Sequence, residues 1–253
     1  MKNITLINTR HQDILENIYE GLYRNVIDIS SLRGTNTICT YDTINKIKKI
    51  VNDQKKSLVY FLGNGNFHYL TFPIVQRFKE PFTLIIFDHH NDAGTFPYEN
   101  VTTCGSWIND VIENNKAVTE VLIIGSTQQN EKGMVTKNKR KIRFLYEKDM
   151  TQEKIEKMAH SIQTKQIYIS IDRDILTEEQ VQTNWDQGNV TVNELIKAVR
   201  LISKSPTGIG AEVCVDLEWD STADFRYPIK KYLKQSVEVN KELFSVLDQE
   251  IEQ

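Results

Sequence analysis

The chain has 253 residues, of which 40% are apolar and 26% charged, with a net charge of -3. That is ordinary globular usage near the upper end of single-domain size, and enough chain to bury a large core. The small acidic balance leaves no basic footprint for nucleic acid, and no run approaches the roughly 20 apolar residues of a membrane span. Neither nucleic acid nor a membrane is an expected partner. The start, M-K-N-I-T-L-I-N-T-R-H, lacks the long apolar stretch of a signal peptide, so a cytoplasmic location is expected. Three widely spaced cysteines, Cys39, Cys104 and Cys214, argue against a disulfide framework or a zinc knuckle.

In chain order, His11 precedes an N-terminal helix, and Asp42 can cap a helix whose apolar face is Ile44, Ile47, Ile50 and Val51. It feeds a strand at S-L-V-Y-F-L-G (57–63), and F-T-L-I-I-F (82–87) is a second. A helix with Trp107, Ile108, Val111 and Ile112 on its buried side leads to a third strand, E-V-L-I-I-G (120–125). Another helix follows Thr151, with Ile155, Met158, Ala159 and Ile162 inward, before the strand Q-I-Y-I-S-I (166–171). Thr191 and Glu194 form a capping box for a helix through Leu195, Ile196, Val199 and Ile202; S-P-T-G (205–208) then turns into a strand at Ile209–Val215. From about Tyr227 to Gln253 the chain is amphipathic and reads as a final helix. This alternation predicts a three-layer α/β/α domain with a doubly wound, mostly parallel sheet. No repeat or linker divides it, so residues 1–253 are read as one domain.

Six possible metal ligands fall just past the ends of three of these strands. His68 follows the first, Asp88, His90 and Asp92 the second, and Asp172 and Asp174 the fourth. Parallel sheets place ligands at the carboxyl ends of their strands, so the six should converge on one edge. Residues two apart in extended chain leave the same face. Four crowded carboxylates would raise one another's pKa unless cations compensated, and two imidazoles with four carboxylates suit two divalent ions of the manganese class. His89, between two ligands, is expected to pack behind them, and His160 to be solvated.

Standing as G-N-G-N-F-H (63–68), D-H-H-N-D (88–92) and S-I-D-R-D (170–174), these segments resemble the three motifs of the arginase and ureohydrolase superfamily, over roughly residues 55 to 220. The resemblance implies one Mn2+ on His68, Asp88, Asp92 and Asp172 and a second on Asp88, His90, Asp172 and Asp174, with Asp88 and Asp172 bridging. It also implies hydrolysis of a guanidinium or amidine-like carbon, with Asp92 in the catalytic machinery.

The departures from the family bear on substrate. Where its free-arginine enzymes carry T-T-S-G-N and a proton-shuttling histidine, this chain has T-T-C-G-S-W-I-N (102–109), so Cys104 replaces the serine and Ile108 the histidine. Proton transfer then falls to a metal-bound water, a carboxylate or Cys104, whose thiol pKa a helix start could lower. The family's guanidinium-gripping glutamate stands in an E-V-N-P-like motif. Glu212 in G-A-E-V-C-V-D-L-E-W-D (210–220) matches its E-V pair, whereas anchoring on Gly210 puts that position at Val215 and leaves Asp216 or Glu218 to serve. An acid amid Val213 and Val215 is costly unless paired. Trp185, Asp186 and Gln187 stand where the family has a glycine-rich loop and are expected at the site rim. With the free-amino-acid anchors absent, the chain looks most like the peptide arginases, which convert arginine to ornithine during maturation of ribosomally made peptides. The alternatives are hydrolysis of a small guanidino or amidine compound, as in agmatinase and formiminoglutamase, and a metal-binding protein without turnover. The expected partners are an arginine-containing peptide or a small guanidino substrate, and the reading is compatible with a homo-oligomer.

Overall fold

A computed structural model describes residues 4–9, 21–53, 57–130, 134, 136–217 and 229–251. The expected helix after His11, and Glu218, lie outside them. The strands are β1 (Ile4–Asn8), β2 (Asn25–Asp28), β3 (Ile38–Thr40), β4 (Val59–Asn64), β5 (Phe82–Phe87), β6 (Val101–Thr103), β7 (Val118–Ile124), β8 (Ile142–Leu145), β9 (Gln166–Asp172) and β10 (Thr207–Asp216). The helices are α1 (Tyr41–Asp53), α2 (Thr71–Val75), α3 (Trp107–Asn114), α4 (Gln152–His160), α5 (Val192–Ser203) and α6 (Ile229–Ile251).

Eight strands form one sheet in the order β2-β1-β4-β10-β9-β5-β7-β8, every pairing parallel. Alternate residues of each strand feed two different cores, as the period of two requires. On β9, Ile167, Ile169 and Ile171 pack with Ile155 of α4, Leu195 and Val199 of α5 and Leu243 and Leu247 of α6. Tyr168 faces the other side, with Ile44 and Ile47 of α1, Ile74 of α2 and Trp107 and Val111 of α3. These are the three layers expected from sequence. Each buried Leu, Ile or Phe stabilises the sandwich by about 1.5–3 kcal/mol, and Phe61 of β4 meets Phe244 of α6 edge-on at 5.7 Å.

Local signals set several boundaries. Thr191 and Glu194 make the expected capping box at α5, and the Thr151 hydroxyl accepts from Lys154 N at the start of α4. The small β3–β6 ribbon is antiparallel and lies outside the main sheet. Its Thr37 carbonyl accepts from Cys104 N at 3.0 Å, which ties down the turn that leads into α3.

Candidate metal centre

β4, β5 and β9 are neighbours of β10 or of one another, so their carboxyl ends open on one edge. His68 sits in the 3-10 turn Gly65–Leu70 just past β4; Asp88, His90 and Asp92 occupy the loop after β5; Asp172 ends β9 and Asp174 lies in the 3-10 turn that follows. His68 Nδ1 is 3.0 Å from Asp92 Oδ2, 3.1 Å from Asp172 Oδ2 and 3.6 Å from Asp88 Oδ2, while His90 Nδ1 is 2.8 Å from Asp174 Oδ2 and 3.7 Å from Asp88 Oδ1. Two ligand groups result, His68–Asp88–Asp92 and Asp88–His90–Asp174, with Asp88 common to both. Each holds three of the four residues that the family resemblance implies. Asp172 borders both: its Oδ2 faces His68, and its Oδ1 accepts from Asp174 N at 2.9 Å.

The donor set fits two small divalent cations. His68 Nδ1 and Asp88 Oδ2 are buried, face each other and have no hydrogen-bond partner among the described residues. Ligand atoms about 2.0–2.2 Å from one ion lie within roughly 4.4 Å of each other, as these do. The electrostatics point the same way. Burial, then Asp174, Asp172 and Asp92, hold Asp88 well above the usual carboxylate range. Burial and the Asp172 charge push Asp174 to about 7. His68 is held down by burial but carried well above an ordinary imidazole by Asp172 and Asp92, and His90, likewise buried, reaches about 9 through Asp174. Protons here hold together a cluster that cations would hold better.

The residues behind the ligands were not legible as partners from sequence. Trp107, fully buried in α3, donates Nε1–H to Asp92 Oδ2 at 2.7 Å and packs its ring 4.9 Å from that of His68. Asp92 itself has φ of 42°, left-handed backbone that turns its carboxylate back toward His68. His68 Nε2 lies 2.9 Å from Ser170 Oγ, so an Nδ1 lone pair can face a cation while Nε2–H donates to the serine. In sequence, Trp107 read only as helix core and Ser170 as a motif letter.

The β10 carboxylate differs from its expected role. Glu212 is wholly buried on the inner face of the sheet and does not line the cavity. It accepts hydrogen bonds from Tyr168 (Oη, 2.7 Å), from the Thr71 hydroxyl and from Ser170. Burial raises its pKa; His68 and these donors oppose the rise. Glu212 therefore braces Ser170 and, through it, His68, from behind the cavity wall. Tyr168 and Thr71 supply the pairing that a buried acid requires. Of Asp216 only the backbone is described, opposite Asn64 of β4.

Ringing five of the six ligands is a cavity of about 340 Å³, whose remaining wall includes Gly65, Asn91, Cys104, Asn130 and Trp185. The Cys104 thiol faces it but is pushed up to about 12 by burial and the Asp92 charge, which corrects the expectation of a lowered thiol. Trp185 stands edge-on to His90, ring centres 6.1 Å apart. Its loop is held by Thr183 and by Gln187, whose side-chain amide donates to the carbonyls of Leu176 and Val181. His89 packs behind, its backbone N–H on Asp174 Oδ1, and His160 is exposed on α4.

An eight-stranded parallel α/β sheet with a carboxylate–imidazole cluster at its strand ends defines a class of candidate dinuclear metal proteins. The model of the arginase family matches residues 9–216, and the chain belongs to that family. An uncharacterised protein of Thermotoga maritima is 32% identical over 170 residues, which is 67% of this chain and 62% of that protein. The chain thus spans less than two thirds of that relative's length. Among solved structures, formimidoylglutamase from Bacillus subtilis superposes with a TM-score of 0.63 at 16% identity, over 97% of this chain and 87% of that one. Helicobacter pylori arginase gives 0.63 at 13% identity, over 97% and 99%. At these identities the superpositions speak for the fold.

Proposed function

We propose that this protein is a dinuclear manganese hydrolase that cleaves a guanidino group, converting peptidyl arginine to ornithine with release of urea. The observation that carries the substrate reading is the cavity wall: among the described residues no Lys or Arg lines it, so no cationic side chain there pairs with the carboxylate of a free amino acid. An arginine inside a peptide has no such carboxylate to bind. Agmatine lacks one too, and a small guanidino amine is the second reading that this wall favours. An all-nitrogen and oxygen donor set suits manganese over thiolate-bound zinc.

Two such ions, when bound, acidify water and polarise the carbon it attacks. His68, Asp88, Asp92 and Asp172 would hold one ion, and Asp88, His90, Asp172 and Asp174 the other. Trp107 fixes the Asp92 carboxylate, and Ser170, backed by Glu212, fixes the His68 ring. Among the described residues His68 and His90 are the wall's histidines and both are metal-ligand candidates, so Asp92 is the group that accepts and returns the proton. Trp185 and Asn130 shape the wall against which the substrate packs. Cys104 contributes a neutral thiol to the same wall.

The test loads the protein with manganese and offers an arginine-containing peptide, free arginine and agmatine. Urea release from the peptide, with the loss of the amidine unit seen by mass spectrometry, is the expected result. Release from free arginine alone would overturn the substrate reading. No release from any of the three, with two equivalents of manganese bound, would overturn hydrolysis and leave a metal-binding protein.

A further inference from the structure

Arg173 lies between Asp172 and Asp174, yet its guanidinium points away from them and is wholly buried. Nε and Nη2 both donate to the carbonyl of Val215, at 3.1 and 3.0 Å, and Nη1 donates to Ser236 Oγ of α6 at 2.7 Å. The carbonyl so gripped belongs to a residue in the wrong region of backbone space for its type. Val215 has φ of 66°, which a β-branched residue adopts only under constraint from its surroundings. The constraint shows in the sheet as two successive register shifts of β10 against β4, on either side of Cys214.

The strained residue bears on the cavity through Gly65. A Cβ added at Gly65 would come within 2.8 Å of Val215 Cγ2 and 2.5 Å of Trp185 Nε1, so both side chains rest on the same bare Cα. Gly65 and Trp185 line the cavity. If Val215 relaxed to ordinary strand geometry, its side chain would leave this position and the indole would lose its neighbour.

We propose that Arg173 is a positioning residue: it clamps the carbonyl of left-handed Val215, and so holds the Val215–Trp185 wall over Gly65 and ties α6 to the cavity. The clamp shapes substrate binding rather than metal binding, because Nε, Nη1 and Nη2 donate to the Val215 carbonyl and the Ser236 hydroxyl on the side of β10 and α6. This deepens the hydrolase reading, and only the kinetic part of its test depends on that reading.

The test uses full-length protein labelled with 5-fluorotryptophan, with the Trp185 resonance assigned from Trp185→Phe. Arg173→Met should shift that resonance while manganese stoichiometry stays at two. Arg173→Lys, which cannot put two donors on one carbonyl, should shift it part of the way. Glycine takes positive φ without strain, so in a Val215→Gly background the melting-temperature loss caused by either Arg173 variant should fall to about half or less. Should Arg173→Met not fold, Arg173→Lys and Ser236→Ala, with and without Val215→Gly, carry the same comparison. In whichever guanidino substrate turns over, KM should rise about tenfold with kcat nearly constant, since ground-state binding is what the wall supplies. An unmoved Trp185 resonance, or an equal melting penalty with and without Val215→Gly, would overturn the clamp. Because the resonance and the melting cycle need no turnover, loss of the hydrolase reading alone would leave them standing.

Discussion

At the scale of single residues, Asp88 and Glu212 separate two uses of a buried carboxylate. Asp88 is shared by both ligand groups and has an oxygen with no hydrogen-bond partner among the described residues, so Asp88→Ala should empty the centre of both ions. His68→Ala should weaken mainly one. Elemental analysis of the purified, manganese-loaded variants checks this, and two equivalents retained by Asp88→Ala would remove it from the centre. Glu212 has no such free oxygen to offer. Its partners are the hydroxyls of Tyr168, Thr71 and Ser170, so Glu212→Gln sets a carboxamide donor against hydroxyl donors in a buried site. The expected cost is about 1–3 kcal/mol of stability, seen as a lower chemical-denaturation midpoint, with KM for the guanidino substrate unchanged. A residue that gripped the guanidinium would instead lose on the order of 100-fold in kcat/KM with its fold intact. The sequence showed that an acid in this apolar run must be paired. It could not show with what, because Tyr168 and Thr71 reach it only across the sheet and from the turn after His68.

Among the elements, legibility followed length and periodicity. The long interior strands β4, β5, β7, β9 and β10 read clearly because both faces are buried and their apolar runs are continuous, and six ligands stood at the ends of three of them. β2 and β8, four residues each, lie at the two sheet edges, where one residue of N-V-I-D is buried and I-R-F-L carries Arg143; neither offers enough period to distinguish strand from loop. β1 is fully interior, but its five residues of I-T-L-I-N are too few for pattern alone. The left-handed turns at Asp92 and Val215 were invisible for a different reason. A β-branched valine avoids that geometry and an aspartate merely tolerates it, so tertiary contacts decide both. Helix starts, by contrast, are local chemistry, and the α5 capping box was written in Thr191 and Glu194. Thr191→Ala should cost about 1 kcal/mol, measured as a denaturant midpoint shift at unchanged slope. No measurable shift would mean that packing of α5 against the sheet alone sets its start.

For the whole molecule, the ligand cluster makes stability depend on pH in a way that cations should abolish. In the metal-free protein Asp174 titrates near 7 and Asp88 well above its usual range, both raised above their values in an unfolded chain. A raised carboxylate stabilises the fold while protonated, so this contribution is present below about pH 4 and is lost as pH climbs through the folded values. His90, near 9, and His68, also raised, contribute while charged, and their share is lost between about pH 6.5 and 9. Asp172, buried but lowered by its bond to His68, works in the opposite sense and loses its contribution only in acid. The four raised groups outnumber it. The melting temperature of the chelator-treated protein should therefore fall steadily from pH 6 to pH 9. Manganese binds the deprotonated ligands and replaces the missing protons, so the loaded protein should melt higher, and the gap between the two should widen with pH. Calorimetric scans of both forms across that range decide the matter. A gap that narrowed toward pH 9, or curves that coincided with metal content verified at two and zero equivalents, would show that cations do not hold these carboxylates together.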